Sequence, residues 1–143
     1  MEMIIDVSTE HGKARLTLHN CPDVCPICNK GIDPRSFGGY LDEVHTELEA
    51  IFQCPRVDCR HLFIAHFVGV PISDNPGIEF ILDHLEPIYF EQREFDEIIS
   101  SVSNDFVRIY NQAKQAEELN LSEIAGPGFR KSLEFLARFR NGE

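Results

Sequence analysis

The sequence predicts an α+β protein: a small antiparallel β-sheet bearing a zinc-ribbon-like four-cysteine site, followed by a C-terminal helical hairpin. Three observations carry this expectation. Four of the five cysteines fall in two short turns, "CPICNKG" and "CPRVDC". The segments flanking those turns are short, β-branched or apolar, and partly alternating, as strands are. From about Glu94 onward the apolar spacing changes to threes and fours, the period of a helix. The expected division is residues 1–76 as a β-rich ribbon-like part and residues 77–143 as strand and loop, then helices packed on it, in one compact unit.

In chain order, "MIIDVSTE" and "KARLTLH" read as a hairpin turning at His11 and Gly12. The first Cys-Pro turn follows, and "GIDPRSFGG" reads as loop, since Gly and Pro punctuate it. "ELEAIFQ" and "HLFIAHFVGVP" are the arms of a second hairpin around the other Cys turn. "VPISDNPG" is a long loop or boundary, after which "IEFIL" and "LEPIYF" are extended pieces.

Ser103 precedes "NDFVRIYNQAKQAEEL", in which Phe106, Ile109, Tyr110, Ala113 and Ala116 recur at helical spacing. Ser is a favoured N-cap, because its oxygen accepts from an N–H that the first turn leaves free. A last helical segment starts near Ser122, is punctuated by "GPG" with Pro127 placed in a first turn, and continues through "FRKSLEFLARF". Phe129, Leu133, Leu136 and Ala137 form its apolar stripe, widened by Phe135 and Phe139, so the arc needs more than one partner helix to cover it. With eleven Phe and no Trp, phenylalanine supplies most of the large core volume.

The chemistry lies in the cysteines. Cys-x-x-Cys in a turn aims two sulfurs at one point, and Pro after the first Cys sets φ for that turn. Cys25 with Cys28, and Cys54 with Cys59, make a complete four-thiolate set for one structural Zn²⁺, the second pair having two extra residues between its members. His61 and His66 follow closely enough to compete with Cys59 as a ligand, and Cys21 is left over as a spare thiol. Cys21, Cys25 and Cys28 also spell the Cys-x3-Cys-x2-Cys spacing of radical iron–sulfur enzymes. That reading needs a large barrel and leaves Cys54 and Cys59 unexplained in a chain of 143 residues.

Four thiolates close the coordination shell, whereas catalytic zinc keeps a position open, so the chain is expected to be no enzyme. Neither a phosphate loop, an HExxH helix nor a nucleophile elbow is present. The formal net charge of -11 makes free nucleic acid a poor partner, because phosphate-backbone binding draws on clustered Lys and Arg. Acidic residues crowd between Glu79 and Glu97, and basic ones gather late at Arg130, Lys131, Arg138 and Arg140. The N-terminus shows no secretory pattern and no apolar run is long enough to span a bilayer. Closely spaced cysteines with no export signal point to a reducing, cytoplasmic setting.

Taken together, "CPICNKG", "CPRVDC" and "SNDFVRIYNQAKQAEELNLSEIAGPGFRKSLEFL" resemble the bacterial family known as domain of unknown function 4145. Its Arg-Lys-x-Leu-Glu signature corresponds to Arg130, Lys131, Leu133 and Glu134. The resemblance implies a ribbon-like part joined to a helical part, and an interaction or regulatory role in bacterial defence and phage–host conflict. It supplies no catalytic residue. Family members run on through further helix where this chain reads "RFRNGE", so the resemblance also implies a shortened helical part with an exposed face.

The function expected is that of a non-enzymatic, zinc-stabilised module that binds another protein, with a homodimer through the C-terminal helices as one form. A nucleic-acid-binding ribbon, with Lys30, Arg35, Arg56 and Arg60 near the turns, is the first alternative. An accessory subunit of a nuclease or restriction system is the second.

Overall fold

The computed structural model describes residues 2–140, with side chains up to residue 138. It is an α+β fold of six strands followed by three helices. The strands are β1 (Met3–Thr9), β2 (Gly12–Leu18), β3 (Arg35–Leu41), β4 (Glu47–Gln53), β5 (Leu62–Pro71) and β6 (Ile78–Glu86). The helices are α1 (Glu97–Val102), α2 (Asn104–Glu118) and α3 (Ser122–Arg140). The chain divides into two compact units at Tyr89 and Phe90.

In the first unit the strands form one sheet in the order β2-β1-β3-β4-β5-β6. All neighbours are antiparallel except β1 and β3, which run parallel through Val7↔Gly39 and Ser8↔Tyr40. The alternation of β4 is complete: Leu48, Ala50 and Phe52 are buried while Glu47, Glu49 and Ile51 face outward. β5 continues it with Phe63, Ala65 and Phe67. Because successive strand residues point to opposite faces, this pattern fixes the register, and Phe52 pairs with Phe63 with ring centroids 5.9 Å apart. The same cluster gathers Ile5, Val7, Leu18, Leu41 and Phe80 from the remaining strands. Four of the eleven buried residues of this cluster are phenylalanines, Phe52, Phe63, Phe67 and Phe80, and aliphatic side chains supply the others.

Two sequence expectations change here. "GIDPRSFGG" is not all loop, since β3 begins at Arg35. Its glycines hide a strand because they serve it. Gly38 sits at φ 99°, beside a bulge between Ser36 and Gly39, and a Cβ on Gly39 would lie 2.3 Å from the Glu49 carbonyl oxygen of β4. "VPISDNPG" is a hairpin connection and not a boundary. β6 extends from Ile78 through Glu86 in the same sheet, joining "IEFIL" and the start of "LEPIYF", and it stops ahead of Pro87.

In the second unit α2 is capped as its sequence demands, with the Phe106 N–H donating to Ser103 Oγ at 3.1 Å. Phe95, Phe106, Tyr110 and Phe129 form a chain of tilted and edge-on aromatic pairs, with ring centroids 5.0–5.8 Å apart. Buried Asn111 bonds both backbone groups of Arg93, accepting from its N–H at 2.8 Å and donating to its carbonyl at 3.3 Å.

α3 is continuous from Ser122, so Pro127 lies inside it and not in a first turn. Its buried line is also not the predicted one. Leu133 is 61% exposed and Ala137 is exposed, whereas Ala125 and Ser132 are buried. A Cβ on Gly128 would lie 2.9 Å from Ala113 Cβ of α2. Small residues let the two helices approach, so they form the seam and the larger residues flank it. Phe139, expected to widen the apolar arc, and the Arg140 side chain fall outside the described side chains. No helix among the described residues is long and apolar enough to cross a membrane.

Candidate metal centre

The two Cys turns hang from the ends of β2 to β5 and close in similar ways. In the first, Cys25 N–H donates to the Lys30 carbonyl at 3.0 Å and Asn29 N–H to the Cys25 carbonyl at 2.9 Å, while Val24 and Gly31 form an isolated bridge. In the second, Cys54 N–H donates to the His61 carbonyl at 3.0 Å, and the Cys59 and Arg60 N–H groups share the Arg56 carbonyl. The residue after the second cysteine is left-handed in both, Asn29 at φ 52° and Arg60 at φ 59°. The two extra residues of the second turn are absorbed within it, and both turns end on the same conformation. That reversal turns the chain out of each Cys turn toward the strand that follows.

All four predicted ligands come together. One sulfur from each of Cys25, Cys28, Cys54 and Cys59 lies within 4.8 Å of the others. The closest approaches cross between the turns, with Cys25 Sγ to Cys59 Sγ and Cys28 Sγ to Cys54 Sγ each 3.9 Å. A disulfide needs about 2.05 Å, so these sulfurs are not bonded to each other. A tetrahedral ion with metal–sulfur bonds of about 2.3 Å has sulfur–sulfur edges of about 3.8 Å, which the crossing pairs match. The donor set therefore fits one tetrahedral metal ion.

Burial separates the ligands into an inner and an outer pair: Cys25 and Cys54 are buried, while Cys28 and Cys59 are half-buried. Burial, with the neighbouring Cys59, Cys25 and Cys28 thiols adding to it, pushes the Cys54 thiol up to about 12. The Ile27 N–H donates to Cys25 Sγ at 3.4 Å, a contact that favours sulfur carrying negative charge.

The remaining candidates sort clearly. Cys21 packs against the hydrophobic core, with Sγ 3.8 Å from the Leu18 carbonyl, and burial raises its pKa. It stands outside the four-sulfur group, so the Cys-x3-Cys-x2-Cys spacing has no spatial counterpart. His61 Nδ1 lies 3.5 Å from Cys59 Sγ, beside a ligand and outside the set. His66 belongs to a different group, with His84 and Glu86. That second group was not anticipated: "DHLE" alone shows only a histidine among acidic neighbours, and strand pairing is what brings His66 to it.

No protein-family model, no curated protein and no solved structure matches this chain.

Proposed function

We propose that this chain is a non-enzymatic, zinc-stabilised protein-interaction module. The observation that carries the reading is the closed set of four convergent cysteine sulfurs, which leaves a tetrahedral ion no position for substrate or activated water. Zinc is favoured because four thiolates are its commonest structural shell and it brings no redox chemistry. Four reduced thiols also suit a reducing compartment such as the cytoplasm.

The surface available for a partner is the outward face of the sheet. Ile4 and Phe37, 66% and 57% exposed, border a groove of about 740 Å³ that Tyr40, Ile51 and Ile64 also line. A groove of mixed apolar and polar lining in a chain of net charge -11 suits a protein partner better than a polyphosphate. The basic tip needed by a nucleic-acid ribbon is weakened at Arg56, whose Nε sits 3.2 Å from Asp58 Oδ1. For the homodimer form, exposed Leu133 on α3 offers an apolar contact. A regulatory role in phage–host conflict rests on the family resemblance and belongs to the same reading.

Metal analysis of the purified protein tests the centre: one equivalent of zinc is expected, with Cys54→Ser abolishing it, and protein free of stoichiometric metal would sink the proposal. Light scattering on a size-exclusion column tests the dimer, which Leu133→Glu should dissociate. A gel shift at low salt, where electrostatic binding is strongest, should show no complex with DNA or RNA.

A further inference from the structure

A second group of metal-ligating side chains lies on β5 and β6, distinct from the four cysteines. The strand register places His66 directly opposite His84, and their rings stack with centroids 4.3 Å apart at 7°. Glu86 follows His84 by two positions and so shares its face of the sheet. One donor atom from each of His66, His84 and Glu86 lies within 4.8 Å of the others.

The orientation of the two imidazoles is the telling feature. His84 Nδ1 is 2.7 Å from Asp83 Oδ2, and His66 Nδ1 is 3.4 Å from Glu49 Oε1. A carboxylate facing Nδ1 holds the proton there and leaves the Nε2 lone pair free, the arrangement that orients metal-bound histidines. Both Nε2 atoms then face one carboxylate, with His66 Nε2 3.7 Å from Glu86 Oε2 and His84 Nε2 3.8 Å from Glu86 Oε1. His66 Nε2 is buried yet has no hydrogen-bond partner, which a folded protein ordinarily avoids. The register shift between His66 and Phe67 leaves Asp83 as the extra residue on β6, which sets it beside its own neighbour's ring.

We propose that His66 Nε2, His84 Nε2 and the Glu86 carboxylate form a second, exchangeable site for a divalent transition-metal ion such as Zn²⁺, with Glu49 and Asp83 as positioning residues. Three protein ligands leave at least one coordination position for water or a donor from another molecule. Two imidazoles and a carboxylate suit zinc and its neighbours, whereas calcium and magnesium demand oxygen shells. Parallel rings send their lone pairs along parallel lines, so capture of an ion turns His84, the more exposed ring at 47%, about its χ2 and opens the stack. The site stands on its own geometry and is independent of what occupies the thiolate centre.

Calorimetric titration of the purified, gel-filtered protein with Zn²⁺ at neutral pH tests this. One further equivalent is expected to bind reversibly, above whatever metal the protein already retains. His84→Ala and Glu86→Gln should lose that equivalent while keeping the retained metal, and Asp83→Asn should weaken it about 10-fold or more. Long-range nitrogen–proton spectra of the imidazoles should show both Nε2 resonances moving on zinc addition while Nδ1 stays protonated. Absence of the extra equivalent in the wild type, or its persistence at equal affinity in His84→Ala, overturns the proposal. Failure of the thiolate reading would appear separately, as missing retained metal.

Discussion

At the scale of single residues, the turn between β3 and β4 depends on one carboxylate. Asp42 Oδ1 accepts from the N–H groups of Thr46 at 2.7 Å and Glu47 at 2.9 Å, and Oδ2 accepts from the Thr46 hydroxyl at 2.7 Å. The Glu47 N–H is the largest cause of a depressed Asp42 pKa, with the Thr46 groups adding to it. A group depressed on folding contributes stability above its unfolded pKa, near 3.9 for Asp, and loses that contribution as the pH falls through the lower folded value. Asp42→Asn is therefore expected to unfold at lower temperature than the wild type near neutral pH, with the gap closing below about pH 4. Melting curves across that range check it, and a gap independent of pH would count against the ionised turn.

At the scale of elements, the two Cys turns and the α2 cap are local in origin, whereas the seam between α2 and α3 is not. Ser103 lies one residue ahead of α2 and satisfies the Phe106 N–H from a few atoms away, so its role is legible from "SND" alone. Ser103→Ala should cost about 1 kcal/mol, read from denaturant unfolding by helical circular dichroism. The α3 seam reverses the usual weighting of side-chain size. A wheel ranks Leu133 above Ser132, yet Ser132 is buried, donating to the Phe129 carbonyl at 2.6 Å, and Leu133 is exposed. Close helix approach at Gly128 decides which face turns inward, and it depends on Ala113 fifteen residues earlier.

At the scale of the whole chain, the thiolate centre joins segments that the sequence separates by 25 residues, from Cys28 to Cys54. The loop it closes contains β3 and β4, so binding of an ion there would be coupled to sheet formation. Treating the protein with a strong chelator at neutral pH should lower its melting temperature, and restoring zinc should recover it. Ligand linkage gives about 4 kcal/mol when free zinc exceeds the dissociation constant a thousand-fold. Melting temperatures unchanged by the chelator, despite verified metal removal, would separate the ion from the fold.

The sequence by itself determined whatever depends on neighbours along the chain: the Cys turns, the Ser103 cap, the alternation of β4 and β5, and the change from strand to helix before α1. These were readable because turn chemistry, capping and periodicity act over a few residues. Tertiary structure alone decided that glycine-rich "SFGGY" is a strand, since Gly39 is explained by a backbone on β4 and not by its own propensity. It likewise decided that His66 meets His84 and Glu86, because strand register converts a separation of eighteen residues into one stacked pair. Propensity is a property of the segment, but close approach and register belong to the partner, which a single stretch of sequence does not contain.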